Sequence, residues 1–158
     1  MDASGRALAV WFTLEPGTPN DNLMASRFDP GTGWSAPVAL EASPRDVVNV
    51  DLAMDPASGR AVVMWTQGSD TSVSAAWARH FDPASGWTAT QPVLSAGTPA
   101  GRADEITVGI DAQGNAVAAW SQLDGTRFSI WGNRGMPTGV WGSAQLLETM
   151  DELGRVDG

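Results

Sequence analysis

The side chains with the clearest chemical potential come in pairs two residues apart. Trp77 precedes Arg79 and Trp131 precedes Asn133, with Met24 and Ser26 at the matching place in a third copy of the pattern. Positions two apart in an extended strand share a face, so each pair sets an indole beside a hydrogen-bonding group. An apolar platform for C–H faces with a polar group for hydroxyls is the composition of a neutral-sugar site. It is equally the composition of a plain sheet surface on which Arg stacks on Trp. Trp34, Trp87 and Trp141 each follow a Gly-containing turn and open an outer strand. There an indole caps its own hairpin, or faces solvent and stacks on a sugar. Trp34, Trp77, Arg79, Trp87, Trp131, Asn133 and Trp141 therefore form the candidate ligand-binding set.

Other chemistries find little support. His80 is the single histidine, and its repeat equivalents are Arg27 and Arg134. Recurrence of a basic residue there predicts a shared structural partner, such as an acid of the adjacent unit, more than a general base. Asp2, Asp55 and Asp111 open tight turns, where Asp bonds its own backbone. Calcium would need an Asp-x-Asp/Asn-x-Asp/Asn-Gly ladder, and the sequence has none. The chain has no Cys and no Tyr, and all nine basic residues are Arg. Thiolate, phenolate and Schiff-base chemistry, disulfides and Cys metal sites are thereby excluded. No carboxylate pair is singled out for glycoside hydrolysis, and Asp151-Glu152 reads as a solvated tail. The expectation is a non-catalytic chain with no metal and no cofactor.

The elements that must position these residues follow from composition and repetition. Eighteen Gly and ten Pro in 158 residues argue for many turns, and eight Trp supply apolar area to bury. A net charge of −9 disfavours phosphate backbones and anionic lipid as partners. No run approaches the ~20 apolar residues of a spanning helix, and no signal segment opens the chain. Asp2-Ala-Ser-Gly-Arg-Ala-Leu-Ala-Val-Trp11 returns as Asp55 to Trp65, with one residue inserted, and again as Asp111 to Trp120. Trp34, Trp87 and Trp141 keep the same period, at spacings of 53 and 54. In the second copy the pattern reads as strands over 48–54, 61–67, about 72–81 and about 87–94, joined by Asp/Gly turns. Ala61 to Trp65 is apolar on both faces, as suits a strand sandwiched between sheets.

Four strands in roughly 50 residues, repeated, predict an all-β fold of β-propeller blades. The Asp-x-x-Gly-x-Ala-x-x-x-Trp pattern with its following Gly-Trp outer strand resembles repeats of bacterial β-propeller proteins and is remotely similar to propeller lectins. That resemblance implies a lectin-like binding module with glycans as partners, at the cell surface or secreted. The other reading open to the residues is a scaffold segment that presents a protein-interaction surface, or the non-catalytic part of a glycosidase. The expected organisation is an incomplete three-stranded blade at 1–47, blades at 48–104 and 105–147, and a linker at 148–158 towards a missing strand. Too few blades for a closed ring of ~4–8 implies further blades of a longer chain or self-association. The bare strand near 6–12 places that association at Leu8, Val10 and the outer face of the third blade.

Overall fold

The computed structural model describes residues 1–14, 21–41, 47–68, 75–93, 102–123 and 127–148. Every regular element among them is a strand. The first sheet holds β1 (Ala7–Leu14), β2 (Asp21–Asp29), β3 (Gly33–Trp34) and β4 (Val38–Ala39). The second holds β5 (Val47–Met54), β6 (Ala61–Gln67), β7 (Ala75–Asp82), β8 (Gly86–Trp87) and β9 (Gln91–Pro92). The third holds β10 (Ala103–Ile110), β11 (Ala116–Leu123), β12 (Phe128–Gly135) and β13 (Gln145–Leu146). All pairings are antiparallel; they join strands next to each other in the chain, except that β4 returns to β2 and β9 to β7, so each sheet is built from one local stretch of chain. Among the described residues the first sheet has no counterpart of β5 and β10, and the strand expected from residue 72 is seen from Ala75, with 72–74 outside the described residues.

The outer strand expected as one piece is interrupted. β8 and β9 both pair with β7, at Phe81↔Trp87 and Trp77↔Pro92. β3 and β4 do the same on β2. In the third sheet a Gly135–Trp141 bridge and β13 repeat it on β12. A side chain fills the gap in the ladder each time. Thr88 Oγ1 accepts the His80 N–H at 2.9 Å, Ser35 Oγ accepts that of Arg27 at 3.1 Å, and Asn133 Oδ1 accepts that of Arg134 at 2.7 Å.

The turns explain why the repeat is conspicuous. Asp2 Oδ1 accepts the main-chain N–H groups of Ser4 and Arg6, Asp111 Oδ1 those of Gln113 and Asn115, and Asp55 Oδ2 that of Ser58. The glycine of each turn has a positive φ, +83° at Gly5, +72° at Gly59 and +88° at Gly114, which other residues adopt only with strain. The turns also stack: a Cβ on Gly59 would meet Asp2 and Arg6, and one on Gly114 would meet Arg60.

The core lies between sheets. Leu23, Ala25 and Leu40 of the first sheet pack with Val47, Val63 and Trp65 of the second. Val62, Met64, Ala76, Ala78 and Val93 of the second pack with Val108, Ala116, Ala118 and Trp120 of the third. Because successive residues alternate in direction, β6 sends Val63 and Trp65 backward and Val62 and Met64 forward, and all seven of its residues are buried.

Candidate functional site

Each sheet thus has a forward face, towards the sheet that follows in sequence, and a rear face. The candidate pairs lie on rear faces, inside the two seams. Trp77 and Trp87 pack against the first seam's core, and Trp131 and Trp141 against the second's. The Arg79 guanidinium donates Nε–H to the Thr88 carbonyl at 2.6 Å and Nη1–H across the seam to the Leu40 carbonyl at 3.1 Å. Asn133, which is buried, donates Nδ2–H to the Val93 carbonyl at 2.7 Å and to the Gly142 carbonyl at 2.9 Å. Leu40 and Val93 occupy the same repeat position: their N–H groups donate to Leu23 and Ala76 in the same way. Two different side chains at one repeat position therefore grip one recurrent carbonyl of the preceding sheet.

The first sheet carries the same position with no sheet behind it among the described residues. Ser26 Oγ donates to the Ser35 carbonyl at 2.9 Å, and Trp34, packed on Phe28 with ring centroids 5.3 Å apart, is 57% exposed. Ala9, Trp11, Ser26, Trp34, Ser35 and Pro37 line an open cleft of about 300 Å³ there. Of the seven candidate residues, Trp34 alone combines an exposed indole with open space. Trp11, the repeat counterpart of the buried Trp65 and Trp120, shares that cleft.

The position of Arg27, His80 and Arg134 does not meet an acid of the next sheet. The Arg27 guanidinium carbon sits 5.8 Å from the centroid of Phe81. His80 lies 5.8 Å from the ring of Trp141, which has moved over Gly135, the residue standing where the second sheet has Phe81. An aromatic ring of the following sheet is thus the partner in both seams. His80 is buried, neither ring nitrogen has a protein partner, and desolvation pushes its pKa below the ordinary value. Arg134 is exposed.

Other seam contacts are polar fasteners. Asp51 Oδ2 accepts from the Val108 N–H at 2.9 Å and the Thr107 hydroxyl at 3.1 Å, and Asn49 Nδ2–H donates to Asp104 at 2.8 Å. Asp104 also receives Arg102. Sequence reasoning missed Asp51 and Asn49, since the first sheet offers no repeat equivalent to reveal them. At Asp2, desolvation works to raise the pKa, but hydrogen bonds from Ser4 and Arg6 outweigh it and hold the carboxyl at about 2. Asp55 is lowered chiefly by Ser58 and Asp111 chiefly by Asn115. Among the described residues no group of three His or acidic side chains could hold a metal ion.

Among the described residues no sheet covers either end of the row. On the third sheet's forward face Val117 is 61% and Leu147 57% exposed, whereas their counterparts Val62 and Val93 are fully buried. A hollow of about 470 Å³ there is lined by Val117, Ala119, Gly132, Arg134 and Leu147, among others. Val10, expected at an open edge, packs into the first seam. The open surface of the first sheet is its other face, carrying Ala9, Trp11 and Trp34. No protein-family model and no curated protein matches this chain.

Proposed function

We propose that the chain is a non-catalytic interaction module of β-propeller type, its three sheets acting as blades and its two outer faces as docking surfaces for protein. One observation carries this reading. The donors that would make a sugar site, on Arg79 and Asn133, are spent on main-chain carbonyls across the seams, while apolar faces at both ends stand uncovered. Contiguous exposed apolar surface of this kind marks interaction sites. A second reading, lectin-like recognition of neutral carbohydrate, has one cleft in its favour. The indoles of Trp11 and Trp34 stand there beside the hydroxyls of Ser26 and Ser35, an amphipathic aromatic wall with polar groups at hand.

Titration of the chain with neutral mono- and oligosaccharides, followed by Trp fluorescence, separates the two. The interaction-module reading expects no saturable response. A saturable response abolished by Trp34→Ala and kept by Trp87→Ala would replace it with the lectin reading. Turnover of a chromogenic glycoside by the purified chain would overturn both.

A further inference from the structure

The two outer faces are the unmatched halves of a joint that the chain already makes twice. Among the described residues the forward faces of the first and second sheets each meet a rear face, and the third forward face and first rear face are left over. Their residues correspond position by position to those of the formed seams. Leu147 donates its N–H to Ile130 as Leu40 does to Leu23 and Val93 to Ala76, so it stands where the gripped carbonyls stand. Ser26 stands where Arg79 and Asn133 do the gripping. The strongest correspondence is aromatic. Phe28 and Trp34 have ring centroids 5.3 Å apart at 57°, and Phe81 and Trp87 5.1 Å apart at 57°. The first sheet's rear face therefore offers the same ring pair as the second's, in which Phe81 lies under Arg27 in the first seam. The third forward face carries Arg134 at the Arg27 position, exposed.

We propose that the third sheet's forward face docks on the first sheet's rear face of a second copy of this chain, head to tail, with Arg134 of one copy over Phe28 of the other. The proposal rests on reading the outer faces as interaction surfaces and names the occupant. Val117, Ile130 and Leu147 close against Ala9, Trp11 and Trp34 of the second copy, as Val62, Ala76 and Val93 close against the third sheet. A heterologous contact of this type forms a ring when its rotation closes. Two copies supply six sheets, within the ~4–8 of closed propellers. Among the described residues the first sheet has no counterpart of β5, so this joint brings fewer strands together than the internal ones, and Ser26 is too short to reach as Arg79 does. The association is accordingly weaker than the seams and reversible.

Sedimentation equilibrium of the 158-residue chain over a wide concentration range is the test. The expected result is a reversible rise to twice the 16.5 kDa of one chain. Val117→Arg on one face and Ala9→Arg on the other each give a monomer. An equimolar mixture of these two variants recovers a dimer, because each retains the half the other has lost. Ser26→Asn, which supplies the donor used at Asn133, tightens the wild-type association about tenfold. Circular dichroism melts confirm folding, and Arg134→Glu with Trp34→Ser serve as a second pair if an Arg variant unfolds. A wild-type chain monomeric throughout overturns the proposal, as does either variant dimerising alone, or a mixture that stays monomeric. The saccharide titration judges the interaction-module reading separately, so failure here leaves a docking surface whose occupant is another protein.

Discussion

Replacing Asn133 with Ala distinguishes a seam clip from a ligand-binding residue. Its Nδ2 atom is the donor to the Val93 carbonyl, and Val93 is fully buried. Truncation leaves that carbonyl without its partner in a place water does not reach, at a cost of about 1–3 kcal/mol. The other two partners, the Gly142 carbonyl and the Arg134 N–H, belong to exposed residues and can turn to water. The expected loss is about 2 kcal/mol, which for a chain of this size lowers the melting temperature by about 4–8 °C. Urea unfolding followed by Trp fluorescence gives the free energy, and a thermal scan gives the shift. Asn133→Asp should lose at least as much, since it keeps the shape but aims a carboxylate oxygen at the Val93 carbonyl. A change below about 0.5 kcal/mol, the usual figure for an exposed residue, would refute the assignment and return Asn133 to the surface.

Trp65→Ala should cost about 3–5 kcal/mol, as for a fully buried indole, whereas Trp34→Ala should stay within about 1 kcal/mol; paired denaturation curves check both. His80 makes stability depend on pH. The unfolded chain takes up a proton near the ordinary imidazole value of about 6.5, and the folded chain resists because burial depresses the His80 pKa. Stability is therefore complete above that pH and falls as pH drops through it towards the folded value. Asp2 titrates only near about 2, so His80→Phe should flatten the slope between about pH 5 and 6.5. Glu105 holds a φ of +44° in the irregularity between Asp104 and Thr107. Glu105→Gly should leave stability unchanged or raise it by up to about 1 kcal/mol, since the left-handed region costs other residues 1–2, with the denaturation midpoint as readout.

The fold was legible where backbone geometry dictates residue type. Left-handed turns demand Gly and Asx turns demand Asp, so Asp2-to-Trp11 and its two echoes announced the period. The doubly apolar run at 61–65 announced that sheets cover both faces of β6. The interruption of the outer strand was not legible, because it depends on Ser35, Thr88 and Asn133 lending an oxygen to the ladder, and such residues are equally ordinary in loops. The contact of Arg27 with Phe81 escaped for a related reason. A basic side chain suggests an acid, and only the stacking of sheets shows that the surface it reaches is a ring. His80 follows from that: facing an indole, the position can be uncharged.

The candidate pairs looked like a sugar site because the seam poses the same physical problem. Binding a neutral glycan requires an apolar platform and a donor that reaches oxygen atoms flanked by C–H groups. Holding the edge of the next sheet requires a platform for aliphatic side chains and a donor that reaches a main-chain carbonyl between them. Trp77 with Arg79 against Leu40, and Trp131 with Asn133 against Val93, solve that second problem with the residues suited to the first. Sequence alone states the chemistry of such a pair but not whether its ligand is carried by the same chain. The discriminating fact is whether another sheet stands behind it. It does for the second and third sheets. For the first sheet none does among the described residues, and the exposed Trp34 and unreaching Ser26 are what a seam looks like with one side open.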